Sequence, residues 1–497
     1  MKEQLFHILQ STKFIGPELL LVFLFIVLLI IQMVNPRTGQ SVFAGMSSLG
    51  FALYLKLVLD QLLFVQLEGS AIIYYEMLAL DKWALFFKFL LAIAGIITSF
   101  FTILSQDTQK MESGTGEYNA FIVLLIAGLS FLVMADNFLI IYLAIELVSI
   151  ISYVLTFYGR KDKSAEAGFK YFIFGAFSSA LMLYGISLVY GLTGSLNFTD
   201  NLFIEGVRKA QEFPLFLGFI LILSGFLFKI ASVPFHEWTP DVYEAAPYPV
   251  AALFSIAPKA GALAVLFKFA YTFFKISPFH NNWKVLIAAL AIMGLTVGNF
   301  AALFQKNAKR MLAYSSIAHT GFILLGLFAL NQLAVKALMF YLLILLLMNF
   351  AAFLLVEKLA GYTGSDEIAG FNGAGRKLPF IGILAVIIMI SLTGLPPTAG
   401  FYAKFFVFSA LWESYQTSGL TLNLVVLMVG LLNTVVALFY YLKIPYYMYL
   451  RKAENNNLIL TSSISASDIF VSLLSIPLLV LFFKPNWLIN LIETFLN

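Results

Sequence analysis

The apolar run from Pro17 to Val34 is long enough to cross a lipid bilayer, and comparable runs follow one another to residue 484 with little between them. A span needs roughly 20 residues to cover about 30 Å of hydrocarbon, so the pattern predicts about fourteen spans. They fall near 17–34, 42–66, 81–104, 119–135, 137–158, 169–190, 214–233, 249–274, 284–303, 311–330, 334–357, 378–408, 421–449 and 467–484. Only the polar pair Asp136-Asn137 separates the fourth from the fifth. Composition leaves no other solvent: 61% of residues are hydrophobic and 11% charged, against roughly 25% charged in a soluble chain. Backbone groups in lipid must be paired within their own segment, so the expectation is an all-α polytopic membrane protein. No linker divides it, which makes residues 1–497 a single membrane domain. The first run is too long for a signal-peptide core and lacks a small-residue cleavage site, so it is read as a retained helix.

The chain has no cysteine, which removes disulfides, thiolate iron–sulfur ligation, cysteine-based zinc sites and a cysteine nucleophile. Its histidines, His7, His236, His280 and His319, form no His-x-x-x-His pair. His236-Glu237 runs into Trp238-Thr239-Pro240, unlike a zinc-protease helix. No metal site is therefore expected. The net charge of +4 is spread over loops without a basic run, which excludes a nucleic-acid partner. Odd-numbered loops hold most of the basic residues: Arg37; Arg160, Lys161 and Lys163; Lys306, Lys309 and Arg310; Arg376 and Lys377; Arg451 and Lys452. Even loops hold chiefly Lys82, Arg208, Lys209, Lys275 and Lys284. Basic loops stay in the cytoplasm, so both termini are expected outside it, with Lys2 and Lys13 arguing mildly against.

Two spans carry proline inside or beside the apolar run together with a lysine. One is the stretch from Lys229 through Pro234, the other the stretch from Pro396-Pro397 to Lys404. Proline removes a backbone donor and clashes with the preceding turn, so helices seven and twelve should be broken there. Broken helices at membrane depth are tolerated where they are buried in protein or line a wet cavity, and a pair of them points to a transport site. Glu146 and Lys229 lie 83 residues apart and His319 and Lys404 lie 85 apart. That spacing is what two inverted five-helix repeats would give, 119–274 (helices 4–8) and 284–449 (helices 9–13), though it is also compatible with coincidence.

An ionisable side chain at mid-bilayer costs roughly 2.5–3.5 kcal/mol on insertion scales, so those present are usually functional or paired. The candidates are Glu146, too deep in the fifth span to snorkel and in need of an internal partner, Lys229 and Lys404 at the two breaks, Lys259 in the middle of the eighth span, and His319 in the tenth. His319 could equally bond between helices. Lys170, near the start of the sixth span, either snorkels or feeds protons inward. Lys56, Lys88, Lys268 and Lys336 are read as snorkelling. Glu237, Asp241 and Glu244 follow the seventh span and are read as loop or interfacial. A lysine that can pair with and part from a carboxylate in a low-dielectric site is a proton switch, and a buried structural ion pair is its bland alternative.

Several stretches carry a resemblance. They are Leu-Ala-Ile-Glu-Leu-Val-Ser at 143–149, Ala-Glu-Ala-Gly-Phe-Lys-Tyr-Phe at 165–172, Phe-Lys-Ile-Ala-Ser-Val-Pro-Phe-His-Glu-Trp-Thr-Pro-Asp-Val-Tyr-Glu-Ala-Ala-Pro at 228–247, and Ser-Leu-Thr-Gly-Leu-Pro-Pro-Thr-Ala-Gly-Phe-Tyr-Ala-Lys-Phe at 391–405. The chain resembles the antiporter-like membrane subunits of respiratory complex I, the proton-pumping NADH–quinone oxidoreductase, and among them the subunit N group, on the strength of Lys404 where subunit M typically has glutamate. The resemblance implies Glu146 and Lys229 as a conducting pair, Lys259 as the central lysine, Lys404 as the exit-side lysine and His319 on the axis between them. It implies a translocase subunit of a bacterial inner membrane with no redox centre of its own, while NADH, FMN, iron–sulfur clusters and a quinone are used by other subunits. It also implies the antiporter-like subunit M and the small subunit K as neighbours. The superfamily contains multisubunit cation/proton antiporters, which remain the alternative, and an inactive assembly scaffold is a third reading.

Overall fold

The computed structural model describes residues 9, 11–111, 114–159, 161–276, 280–452 and 465–496. Lys2, His7 and Arg160 lie outside the described residues, as do the side chains of Lys161, Lys275 and His280. In chain order the main helices are α1 (Gly16–Val34), α2 (Gln40–Glu68), α3 (Lys82–Leu104), α4 (Thr115–Met134), α5 (Phe138–Phe157), α6 (Lys161–Thr193), α7 (Glu212–Lys229), α8 (Trp238–Ala245), α9 (Tyr248–Phe254) and α10 (Ala257–Ile276). They continue as α11 (His280–Leu303), α12 (Ala308–Ala329), α13 (Gln332–Thr363), α14 (Pro379–Thr393), α15 (Ala399–Ser418), α16 (Thr421–Tyr441), α17 (Lys443–Leu450), α18 (Ala466–Phe483) and α19 (Pro485–Glu493). Among the described residues thirteen helical stretches are long and apolar enough to cross a membrane, counting α9 with α10 and α16 with α17. The remaining expected span, the twelfth, is split into α14 and α15. The fold is the expected all-α bundle, and among the described residues one short hairpin, β1 (Ala71–Ile73) with β2 (Leu78–Leu80), lies in a connection between spans.

Asp136-Asn137 does end one span and begin the next. The Asn137 side chain accepts from Leu139 N–H and so caps α5, satisfying a donor that a helix start otherwise leaves orphaned. Even loops collect on one face, where Leu78 bridges to Ala135 and Asn137 to Asn197. Odd loops collect on the other, where Asn307 bridges to Glu367, Tyr248 donates to Asp366 at 2.6 Å and Ser105 donates to Glu357 at 2.6 Å.

The helices are layered by burial. The most apolar windows of α9–α10, α12 and α13 are 100%, 94% and 94% buried, against 28% for α1, α16–α17 and α18. With no hydrophobic drive between helices in lipid, close packing has to hold such a centre together. Gly298 and Gly321 permit it where α11 meets α12: a Cβ on Gly298 would come 2.6 Å from Ala318 N, and one on Gly321 would come 2.7 Å from Leu295 N.

The four lysines read as snorkelling divide. Lys56 is exposed and Lys336 pairs with Glu493 at 3.1 Å near the even-loop face. Lys268 instead lies between Asp81 (3.2 Å) and Asp136 (2.5 Å). The snorkelling reading fails outright for Lys88, whose side chain is 0% exposed and pairs at 2.7 Å with an equally buried Glu18. Gln61 accepts a second hydrogen bond from it at 2.7 Å. The reason is tertiary: α1, α2 and α4 enclose this turn of α3, so the amine cannot reach water, and a carboxylate from α1 supplies the counter-charge.

Candidate functional site

Lys229 is the last residue of α7, and the chain beyond it breaks as its prolines require. Ala231 adopts φ +55° and the Val233–Pro234 peptide is cis. The break frees the carbonyl of Ile230 from the helix ladder, and Thr320 on α12 donates to it at 2.9 Å. The Lys229 ammonium is 1% exposed. It donates to Ser149 Oγ at 3.0 Å and lies 5.8 Å from the centre of the Tyr171 ring. Tyr171 in turn stacks on Trp238 with centroids 4.1 Å apart.

Glu146 sits one turn before Ser149 on α5 and is half-buried. It stands one turn from the Ser149 hydroxyl that accepts from Lys229, but among the described residues no ion pair within 4 Å joins Glu146 to Lys229. The internal partner expected for it is thus near without being in contact. The carboxylate instead shares a face with the exposed side chains of Leu143, Leu147 and Ile150.

Among the described residues no carboxylate pairs with Lys259 within 4 Å. Lys259 is 3% exposed and donates to Ser316 O (2.9 Å), Ser316 Oγ (2.7 Å) and Thr320 Oγ1 (3.1 Å), using all three ammonium hydrogens on α12. The eighth span also bends just before it, since α9 ends at Phe254 and α10 starts at Ala257. Ser255 at the bend accepts from Asn349 at 2.9 Å. Pro258, next to Lys259, is the sequence signal for this bend. Thr320 therefore accepts from Lys259 and shares its one hydroxyl hydrogen between Ile230 O (2.9 Å) and Ser316 O (3.1 Å), bridging the break of the seventh span to the central lysine.

His319 is enclosed between two phenols, Tyr341 at 2.7 Å on Nδ1 and Tyr441 at 3.0 Å on Nε2. A neutral imidazole can accept from one and donate to the other. Tyr441 is also hydrogen-bonded to Ser315. Lys404 donates to Thr393 O at 2.7 Å, the last carbonyl of α14, and sits over the Phe322 ring at 4.5 Å. Gly394 suits the position: its φ of +85° strains any residue with a Cβ, and a Cβ there would lie 2.6 Å from the Lys404 side chain and push it aside.

Lys170 belongs elsewhere. Its side chain is 43% exposed and pairs with Glu166 (2.7 Å) and Asp241 (2.9 Å) on the odd-loop side. Asp241 and Glu244 lie on the short helix α8 rather than in a loop. Arg310 reaches both, at 2.6 and 3.0 Å, and Lys163 reaches Glu244 at 2.6 Å. Although burial opposes it, hydrogen bonds from Lys170 and Arg310 hold the Asp241 carboxyl below its ordinary value. Those from Lys163 and Arg310 do the same for Glu244. These charges line a cavity of about 190 Å³.

Sequence reasoning singled out the buried ionisable groups and not the hydroxyls bonded to them, Ser149 beside Lys229, Ser316 and Thr320 beside Lys259, and Tyr341 and Tyr441 beside His319. Ser316 and Thr320 flank His319 at helical spacing, which was the only signal for them.

A family model described as "NADH:quinone oxidoreductase/Mrp antiporter, TM" matches residues 135–430. The chain is 37% identical over 452 residues to NADH-quinone oxidoreductase subunit N of Chlorobium chlorochromatii, covering 89% of this chain and 86% of that one. Respiratory complex I from Thermus thermophilus contains a chain of similar fold, with a TM-score of 0.77 and 29% identity, covering 95% of this chain and 98% of that one. The Mrp complex of a Dietzia species holds another, with a TM-score of 0.80, 17% identity and coverage of 97% and 96%, a likeness of fold alone. With buried amines along its centre, two interrupted spans and this degree of identity, the chain belongs to the subunit N family of NADH-quinone oxidoreductase.

Proposed function

We propose that this chain carries protons across the membrane as part of an NADH-quinone oxidoreductase, along a line formed by Glu146, Lys229, Lys259, His319 and Lys404. The observation that carries the reading is the Thr320 bridge, which joins the backbone released beside Lys229 to the ammonium of Lys259. Separating Glu146 from Lys229 strands an ammonium in low dielectric and drives its proton toward Lys259 and, by way of His319, toward Lys404. Closing the pair reloads it. The hydrogen bond from Lys229 to Ser149 rather than to Glu146 corresponds to the separated arrangement.

Lys170 and its acidic partners supply protons from the odd-loop side, which is cytoplasmic in this reading and leaves both termini in the periplasm. The five-helix units 119–274 and 284–449 are inverted repeats. Antiporter-like subunit M and the small subunit K are the neighbours within the bacterial inner membrane, and NADH, FMN, iron–sulfur clusters and quinone are handled by other subunits. A cation/proton antiporter would share this fold, but the relatives that match in sequence favour the oxidoreductase.

The test is NADH-driven acidification of inverted membrane vesicles, with quinone reduction followed in parallel, for Lys229→Ala at equal assembled complex. Loss of pumping is expected. Full pumping with intact NADH oxidation would remove Lys229 from the path.

A further inference from the structure

The charges around Arg310 are divided in an orderly way. Asp241 gives one carboxylate oxygen to Lys170 on α6 and the other to Arg310 on α12. Glu244 gives one to Lys163 on α6 and the other to Arg310. The helix that carries both carboxylates, α8, follows the break at the end of α7, and these pairs hold it between α6 and α12.

Resting on the proton-path reading above, we propose that Arg310 is a positioning residue that makes α8 and α12 move together, so that a displacement at the Lys229 break reaches the hydroxyls holding Lys259. Both elements run from the clamp to the reacting groups. On α8, Trp238 stacks on the Tyr171 ring that faces Lys229 and donates through Nε1 to Phe228 O at 3.3 Å. On α12, Ser316 lies six residues beyond Arg310, roughly 9 Å along a helix at 1.5 Å per residue. Two further bonds keep α12 on the same unit: Lys309 donates to Ala246 O at 2.6 Å and Thr320 to Ile230 O at 2.9 Å. A single guanidinium nitrogen, Nη1, donates to both carboxylates, so a lysine ammonium placed there can take over much of the task. Without Arg310, α8 would stay anchored to α6 through Lys163 and Lys170 but would lose its charged tie to α12. The change would then appear in coupling before it appeared in folding.

The measurement is the number of protons moved per NADH oxidised in inverted vesicles, at equal assembled complex, for Arg310→Gln, Arg310→Lys, Lys229→Ala and Lys259→Met. Arg310→Gln should lower that ratio about two- to tenfold while NADH oxidation continues, the range expected when a coupling contact is lost. Arg310→Lys should restore most of it. A wild-type ratio in an assembled Arg310→Gln complex overturns the proposal, and if the lysine variants lose pumping in the same series, the path itself still stands. Wild-type pumping in both lysine variants sinks the path instead. Should Arg310→Gln fail to assemble, Glu244→Gln decides, because it cuts one arm of the clamp and keeps the Asp241 pairs with Lys170 and Arg310. A lowered ratio then supports the coupling role, and an unchanged ratio overturns it.

Discussion

The surroundings of Lys229 and of Lys259 hold the same chemical group in two different ways. Lys229 lies close to a carboxylate that is half-buried on the surface of α5, so an event outside this chain can bring the counter-charge in or draw it away. Lys259 lies in the most buried part of the bundle, held by a carbonyl and two hydroxyls of α12. A lysine with a movable counter-charge can be controlled, whereas one solvated only by neutral groups responds to whatever proton its neighbours deliver. In the proposed path, control therefore belongs to the first region and transfer to the second. The oxygen shared through Thr320 is where they meet.

Breaking the controlling side should have the largest effect. Glu146→Gln keeps the shape and removes the charge, and it should reduce NADH-driven acidification about tenfold or more, the result of shifting a proton equilibrium by at least one unit. Glu146→Asp, which keeps the charge on a shorter arm, should retain part of it. Acidification comparable to wild type in Glu146→Gln would erase the distinction between the two regions. Thr320→Val attacks the junction. It keeps the volume but leaves Ile230 O and one Lys259 hydrogen unpaired, and an unsatisfied buried polar group costs about 1–3 kcal/mol. A lowered melting temperature of the detergent-solubilised complex, together with pumping several-fold below wild type, is expected. Unchanged values on both would mean that water replaces the hydroxyl.

His319→Gln should be milder. Glutamine can still donate to one phenol and accept from the other but cannot take up and release the proton that the path carries through His319, so pumping should fall several-fold, less than in Glu146→Gln. Loss as complete as in Glu146→Gln would place His319 on the controlling side. The smallest effect concerns acid stability. Because the Asp241 and Glu244 carboxyls are held below their ordinary values in the folded chain, their contribution is present at neutral pH and is lost only as pH falls through those lowered values. Thermal stability should thus hold down to about pH 4, near the ordinary carboxylate range, and decline below it. In Asp241→Asn the acid decline should be shallower.

The spans and both breaks could be read from the sequence because length, hydropathy and proline act locally. The Asp136-Asn137 boundary was legible for the same reason, since capping needs only neighbours. Partnerships across the bundle were not. Lys88 looks like any lysine near a helix start, and only the packing of α1 against α4 brings Glu18 to it. Glu146 was recognisable as too deep to snorkel, but its place on an exposed face depends on which side of α5 meets α4 and α6. The ionisable members of the site stood out because lipid makes charge conspicuous. Ser149, Ser316 and Thr320 did not, because a hydroxyl in a membrane helix usually bonds back to its own helix, as Ser149 also does to Ile145 O.

The most direct test of the central claim, that protons pass through the neutral-lined interior at Lys259, is the ratio of protons moved to NADH oxidised in inverted vesicles carrying Lys259→Met. Methionine fills nearly the same space without a protonatable group. The account predicts an assembled complex whose proton ratio falls well below wild type. An assembled Lys259→Met complex that pumps at the full wild-type ratio would contradict it.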